Sequence, residues 1–177
     1  RRLYDSGTRE GDRMDELRDD CYRQRAETAE PWLEQARETL RELAEHAEAH
    51  EIGLGIENRL HYHEIPLPAE CAWLCADYAP ELVGYWHDVG HAEVQARLGF
   101  VSKRLWLDTN GARTLGSHLH DVTGLADHRA PGNGDVDWRY IAAGLPAAAL
   151  RVFEINQGQP PADVAAAIGF LRDRGVV

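Results

Sequence analysis

The chain has 177 residues, enough for one domain with a substantial core, and its 19 Lys+Arg against 30 Asp+Glu leave a net charge of −11. That balance argues against nucleic acid as a main partner, because phosphate-backbone binding normally leaves a basic footprint. No apolar stretch approaches the roughly 18 residues of a membrane span, so no membrane partner is expected. Three cysteines, Cys21, Cys71 and Cys75, fit a reducing, cytoplasmic compartment without a disulfide framework.

In chain order, residues 1–30 are dense in charge, and Met14, Leu17, Cys21 and Tyr22 recur at helical spacing, which predicts a helix over about 12–28. Pro31 fits the first turn of a second helix reaching His50, with Trp32, Leu33, Ala36, Leu40, Leu43, Ala44 and Ala47 as its apolar stripe. The run Ile52-Gly-Leu-Gly-Ile-Glu57 then reads as a short buried strand that opens into a loop at Glu57, Asn58 and Arg59. His61 and His63 lie on that loop and read as exposed or substrate-facing rather than as ligands. Residues 68–78 read as a helix turning Cys71, Leu74 and Cys75 inward, with the two cysteines as core packing. A second strand over 82–88 ends at Asp88, and a helix carrying His91 starts from a tight turn at Gly90. Asn110-Gly111 is a turn signal, and a third strand over 114–119 holds His118. Residues 120–138 read as the longest loop, a length that usually signals function. Asp135 or Asp137 is placed to cap a helix with Trp138, Tyr140 and Ile141. A last strand over 150–155 contains Glu154, and an amphipathic helix over 160–174 follows.

Glu57, Asp88, His118 and Glu154 each lie at the end of such a run and follow one another at intervals of 31, 30 and 36 residues. A strand, a crossover helix and two loops need about 30 residues or more, so each interval holds one βα unit. Parallel barrel strands bring their C-terminal ends to one face, where the sites of such enzymes lie, so the four side chains are expected to converge. Two Glu, one Asp and one His are a hard, oxygen-rich set that suits a divalent metal: Mn²⁺, Mg²⁺ or Zn²⁺ in a mixed-ligand site. A complete (β/α)₈ TIM barrel usually takes about 250 residues. Four strand-like runs and an Arg at position 1 therefore predict the C-terminal half of such an α/β barrel, about four βα units forming one domain over 1–177. Two open sheet edges would favour a homo-oligomer.

Glu57-Asn58-Arg59, Trp86-His-Asp88-Val-Gly-His91, His118-Leu-His-Asp121, the loop Asp127-His128-Arg129-Ala-Pro-Gly-Asn-Gly134, and Glu154 together resemble the xylose isomerase-like TIM barrel superfamily, in its sugar phosphate isomerase/epimerase branch. The resemblance runs from about residue 30 to the end. It implies a metal held by Glu57, Asp88, His118 and Glu154, with Glu57 and Glu154 as the catalytic acid–base pair, and a sugar or polyol substrate contacted by His91, His128, Arg129 and Asn58. In the related apurinic endonucleases an Asp-x-His pair precedes the Gly-rich loop. His128 matches that histidine, but Ala126 stands at the acidic position with Asp127 one residue late, a departure from a trinuclear zinc site. The implied reaction is proton transfer next to a carbonyl through a metal-stabilised enediolate. The alternatives are an inosose dehydratase-like lyase, an apurinic endonuclease-like metal hydrolase, or a non-catalytic sugar-binding relative.

Overall fold

The computed structural model describes residues 2–177, and Arg1, whose identity pointed to a preceding segment, lies outside them. A short helix α1 (Arg2–Asp5) precedes the long helix α2 (Asp12–Ala49). Then come β1 (Leu54–Glu57), α3 (Pro68–Cys75), β2 (Val83–Asp88), α4 (Val89–Arg97), α5 (Lys103–Asn110), and, after a 3₁₀ turn at Gly111–Arg113, β3 (Thr114–Leu119). The hairpin of β4 (Asp121–Thr123) and β5 (Ala126–Arg129), helix α6 (Trp138–Gly144), β6 (Leu150–Phe153) and α7 (Pro161–Arg172) complete the chain.

Strands β1, β2, β3 and β6 form one parallel sheet in that order, each joined to the next by helical crossovers. Side chains alternate between faces along a strand, so register decides which residues share a face. Glu57 pairs with Trp86, Trp86 with Gly116, Asp88 with His118, and His118 with Val152, which puts all of these on one face together with Glu154 two residues beyond Val152. The opposite face carries the core. Tyr85 and Trp106 stack with ring centroids 6.0 Å apart and are both fully buried, beside Val83, Cys71, Cys75 and Leu119. Truncating a buried aromatic of this kind to Ala costs about 3–5 kcal/mol, so this layer anchors the sheet.

The inner face has almost no cover of its own. The Trp86 ring lies across two glycines, since a Cβ on Gly116 would stand 2.3 Å from its ring and one on Gly55 3.1 Å. On the last strand of the sheet Leu150 is 63% exposed and Val152 39% exposed. A parallel sheet is normally covered on both faces, and four staggered strands with an open inner face form an arc of a barrel.

Two expectations are corrected. Helix α2 does not break before Pro31: it runs 38 residues from Asp12 to Ala49, with Pro31 inside it. A proline there removes one backbone hydrogen bond, but the helix is anchored on both sides of it. Leu40, Ala44 and Ala47 pack inward on one side. On the other, the buried Arg25 donates to Tyr62 O at 2.9 Å and to both oxygens of Glu70 at 2.6 Å. Residues 103–110, where the sequence signals only the turn at Asn110-Gly111, form a further helix that carries Trp106 into the core. The segment 120–138 is not an open loop but is folded around the β4–β5 hairpin, with Gly124 at φ +60° in its turn.

Candidate active site

At the C-terminal ends of the strands, His118 Nδ1 lies 2.8 Å from Glu57 Oε1, 2.9 Å from Glu154 Oε2 and 3.5 Å from Asp88 Oδ2. One potential ligand atom from each of these four residues falls within 4.8 Å of all the others. Asp88 is fully buried, Glu57 and His118 are about a quarter exposed, and Glu154 is 45% exposed, so the cluster opens outward past Glu154. Hydrogen bonding to Asp88 and to Glu57, with the charge of Glu154, outweighs burial and raises the His118 pKa to about 9. Burial pushes Asp88 upward, but the hydrogen bonds from His118 and His120 prevail and hold its carboxyl far below the usual carboxylate range.

The sequence builds Asp88 into place from three directions. Asn58, the residue after β1, accepts from Asp88 N at 2.7 Å through Oδ1 and donates from Nδ2 to Asp88 O at 2.9 Å. Its side chain thereby supplies one more rung to the β1–β2 ladder. Asp88 is also the N-cap of α4, accepting the His91 backbone N–H at 2.7 Å, which satisfies one orphan donor of that helix. The Nδ1 of His91 lies 2.9 Å from Asn58 O. A carbonyl can only accept, so Nδ1 carries the proton and the Nε2 lone pair of His91 is left for another donor.

The hairpin brings in the remaining candidates. His128 sits at φ +56°, an uncommon conformation for a side-chain-bearing residue. Its Nε2 lies 3.6 Å from Glu154 Oε1, so it borders the cluster. Arg129 donates from Nε to Asn133 O at 2.9 Å, and its role within the structure is to tie β5 to the following turn. Asn58 is fully buried with its amide committed to Asp88, so it positions the site from beneath instead of facing a substrate. Asp121 organises the whole segment: its carboxylate accepts from Val122 N, Val136 N, Gly132 N and the Trp138 indole N–H at 2.9–3.2 Å. Gly134 must lack a side chain, because its Cβ would lie 2.3 Å from Asp121 Oδ1.

Two residues of the site were missed. Arg59 places Nη1 3.5 Å from Glu57 Oε2. His120, fully buried, lies 3.0 and 3.1 Å from the two Asp88 oxygens through Nε2. The signal for His120 was its spacing: two residues beyond His118, it falls on the same face of the chain.

The donor set fits a divalent cation. Three carboxylates converging on one imidazole repel one another unless a positive charge sits among them, and the proton held on His118 performs that service in the metal-free protein. Oxygen-rich sites with one imidazole suit Mn²⁺, Mg²⁺ or mixed-ligand Zn²⁺. A second group, Asp88, His120, His128 and Glu154, also brings ligand atoms within 4.8 Å of one another, and Asp127 belongs to neither group among the described residues.

The family model described as xylose isomerase-like TIM barrel matches residues 9–174. Among solved structures, the crystal structure of a D-tagatose 3-epimerase-like protein is similar to the chain, with a TM-score of 0.57 and 20% identity over 80% of this chain and 54% of that one. The chain therefore spans about half the length of that relative. No curated protein matches the chain.

Proposed function

The chain belongs to the xylose isomerase-like TIM barrel family, and from that premise we propose that it carries the metal-dependent catalytic centre of a sugar or sugar phosphate isomerase or epimerase. The observation that supports this most is the meeting of Glu57 and Glu154. They come from opposite edges of the sheet and reach the same imidazole nitrogen at 2.8 and 2.9 Å. Binding a sugar needs no such pair, whereas moving a proton needs one group to take it and another to return it.

Isomerising or epimerising a ketose removes a proton from the carbon beside the carbonyl and leaves its electron pair on an enediolate. A proton then returns to the neighbouring carbon or to the opposite face of the first. When bound at Glu57, Asp88, His118 and Glu154, a divalent cation supplies Lewis-acid polarisation and offsets negative charge. Of the two outer carboxylates, one accepts the proton as a base and the other, protonated, returns it as an acid. His91 offers its Nε2 lone pair to a substrate hydroxyl, a consequence of the proton that Asn58 O holds on Nδ1. His128, bordering Glu154, contacts the same substrate from the hairpin side.

Metal content tests the assignment. Glu57→Gln and Asp88→Asn are expected to strip most bound Mn²⁺ or Zn²⁺ while the far-ultraviolet circular dichroism stays at the wild-type level. Full occupancy in both variants, by elemental analysis, would remove these residues from the site.

A further inference from the structure

His120 is the most buried imidazole near the site, and neither ring nitrogen is free. The backbone N–H of His128 donates to Nδ1 at 2.8 Å. A backbone N–H can only donate, so Nδ1 bears a lone pair and the ring proton sits on Nε2, aimed at Asp88 Oδ1 and Oδ2. With both nitrogens engaged, His120 has no lone pair for a cation, and it links Asp88 to the His128 backbone by hydrogen bonds. The rings of His120 and His128 stack with centroids 4.1 Å apart and an interplanar angle of 12°. Asn156 N donates to His128 O at 2.8 Å, so the left-handed backbone of His128 is clamped on both of its polar groups. Gly90 leaves room for the ring, since a Cβ there would stand 2.1 Å from His120 Cε1.

We propose that His120 is a positioning residue that couples the two halves of the site: its Nε2–H sets the orientation of the Asp88 carboxylate, and its Nδ1 sets the strained backbone of His128 and so holds that ring against Glu154. The inference rests on the reading of Asp88 and His128 as parts of the site. It assigns separate tasks to the two ring nitrogens, and two substitutions separate them. Asn places its oxygen near the position of Nδ1 but cannot reach Asp88; Gln places its amide nitrogen near the position of Nε2 but offers nothing to His128.

The experiment measures Mn²⁺ affinity by calorimetry and exchange of the His128 amide by NMR in wild type, His120→Asn, His120→Gln and, as a control, His118→Ala. His120→Asn should lose about 10- to 100-fold in Mn²⁺ affinity, as loss of a ligand's hydrogen-bond partner does, and keep the His128 amide protected. His120→Gln should keep its Mn²⁺ affinity while exchange at the His128 amide accelerates by about tenfold. Imidazole ¹⁵N shifts of the wild type, which need no variant to fold, should show the Nε2–H tautomer at His120. An Nδ1–H tautomer, or two variants that lose both properties together, would overturn the inference. Normal Mn²⁺ binding and normal His128 exchange in both variants, with binding lost in His118→Ala, would overturn it alone. Absence of Mn²⁺ binding in the wild type would overturn the functional reading and this inference with it.

Discussion

Metal binding at neutral pH has to displace a proton from His118. Its Nδ1 faces three carboxylates, and the hydrogen bond to Asp88, followed by that to Glu57 and the charge of Glu154, raises its pKa to about 9 against the opposing effect of burial. At pH 7 only about one His118 in a hundred is neutral, so the apparent affinity for Mn²⁺ should be about 100-fold, or about 2.7 kcal/mol, below its high-pH limit. Between about pH 6.5 and pH 8.5 the logarithm of the affinity should rise by close to one for each pH unit, and about one proton should leave for each ion bound. Calorimetric titration in two buffers of different ionisation enthalpy reads that proton directly. In metal-free Glu57→Gln, which lacks one of the groups that hold the proton, the His118 pKa read by NMR should lie below that of the metal-free wild type. An affinity independent of pH over this range, with no proton released, would refute the placement of His118 among the carboxylates.

The same titrations set the stability of the metal-free protein. His118, raised from 6.5 to about 9, contributes stability that is fully present below pH 6.5 and lost as pH rises through 9. His87 works in the opposite sense: burial lowers it from 6.5 to about 4, so its contribution is present above pH 6.5 and lost as pH falls toward 4. The melting temperature without metal should therefore peak near pH 6.5, and a curve that rises or falls steadily from about pH 4 to pH 9 would count against both assignments. Asp121→Ala leaves four hydrogen-bond donors without their carboxylate. Its cost in urea denaturation should be on the order of 3 kcal/mol or more, and a loss below about 1 kcal/mol would contradict the central place given to Asp121. The open edges at β1 and β6 and the exposed Leu150 and Val152 should make the 177-residue chain self-associate, which sedimentation measures; a stable monomer would mean these edges are protected.

Much of this arrangement is legible in the sequence because parallel βα units impose a period. Glu57, Asp88, His118 and Glu154 lie at strand ends about one unit apart, and register then brings them to one face whatever the intervening loops do. What stayed hidden depends on contacts between residues distant in sequence. Pro31 reads locally as a helix start, and contacts distant in sequence, such as the bond from Arg25 to Glu70 45 residues away, show why α2 continues through it. The resemblance implies a substrate contact for Asn58, yet its position beside the β2 backbone commits its amide to Asp88. The β4–β5 hairpin was masked by a stretch rich in Gly and Asp, whose order comes from Asp121 accepting backbone donors as far away as Val136. His120 was readable from its phase with His118, but its task, joining Asp88 to His128, belongs to the hairpin fold and not to the spacing.

Hydrogen exchange at carbon tests the proposed proton transfer most directly. The protein, loaded with Mn²⁺ and incubated with ketoses in D₂O, should incorporate deuterium at the carbon beside the carbonyl of its substrate, as read by NMR. Glu154→Gln should slow that exchange by about 10² to 10⁴, the contribution of a positioned acid–base group, with substrate binding less affected. Absence of exchange and of isomerisation across a panel of ketoses, together with cleavage of abasic DNA that weakens steeply with salt, would contradict the sugar assignment.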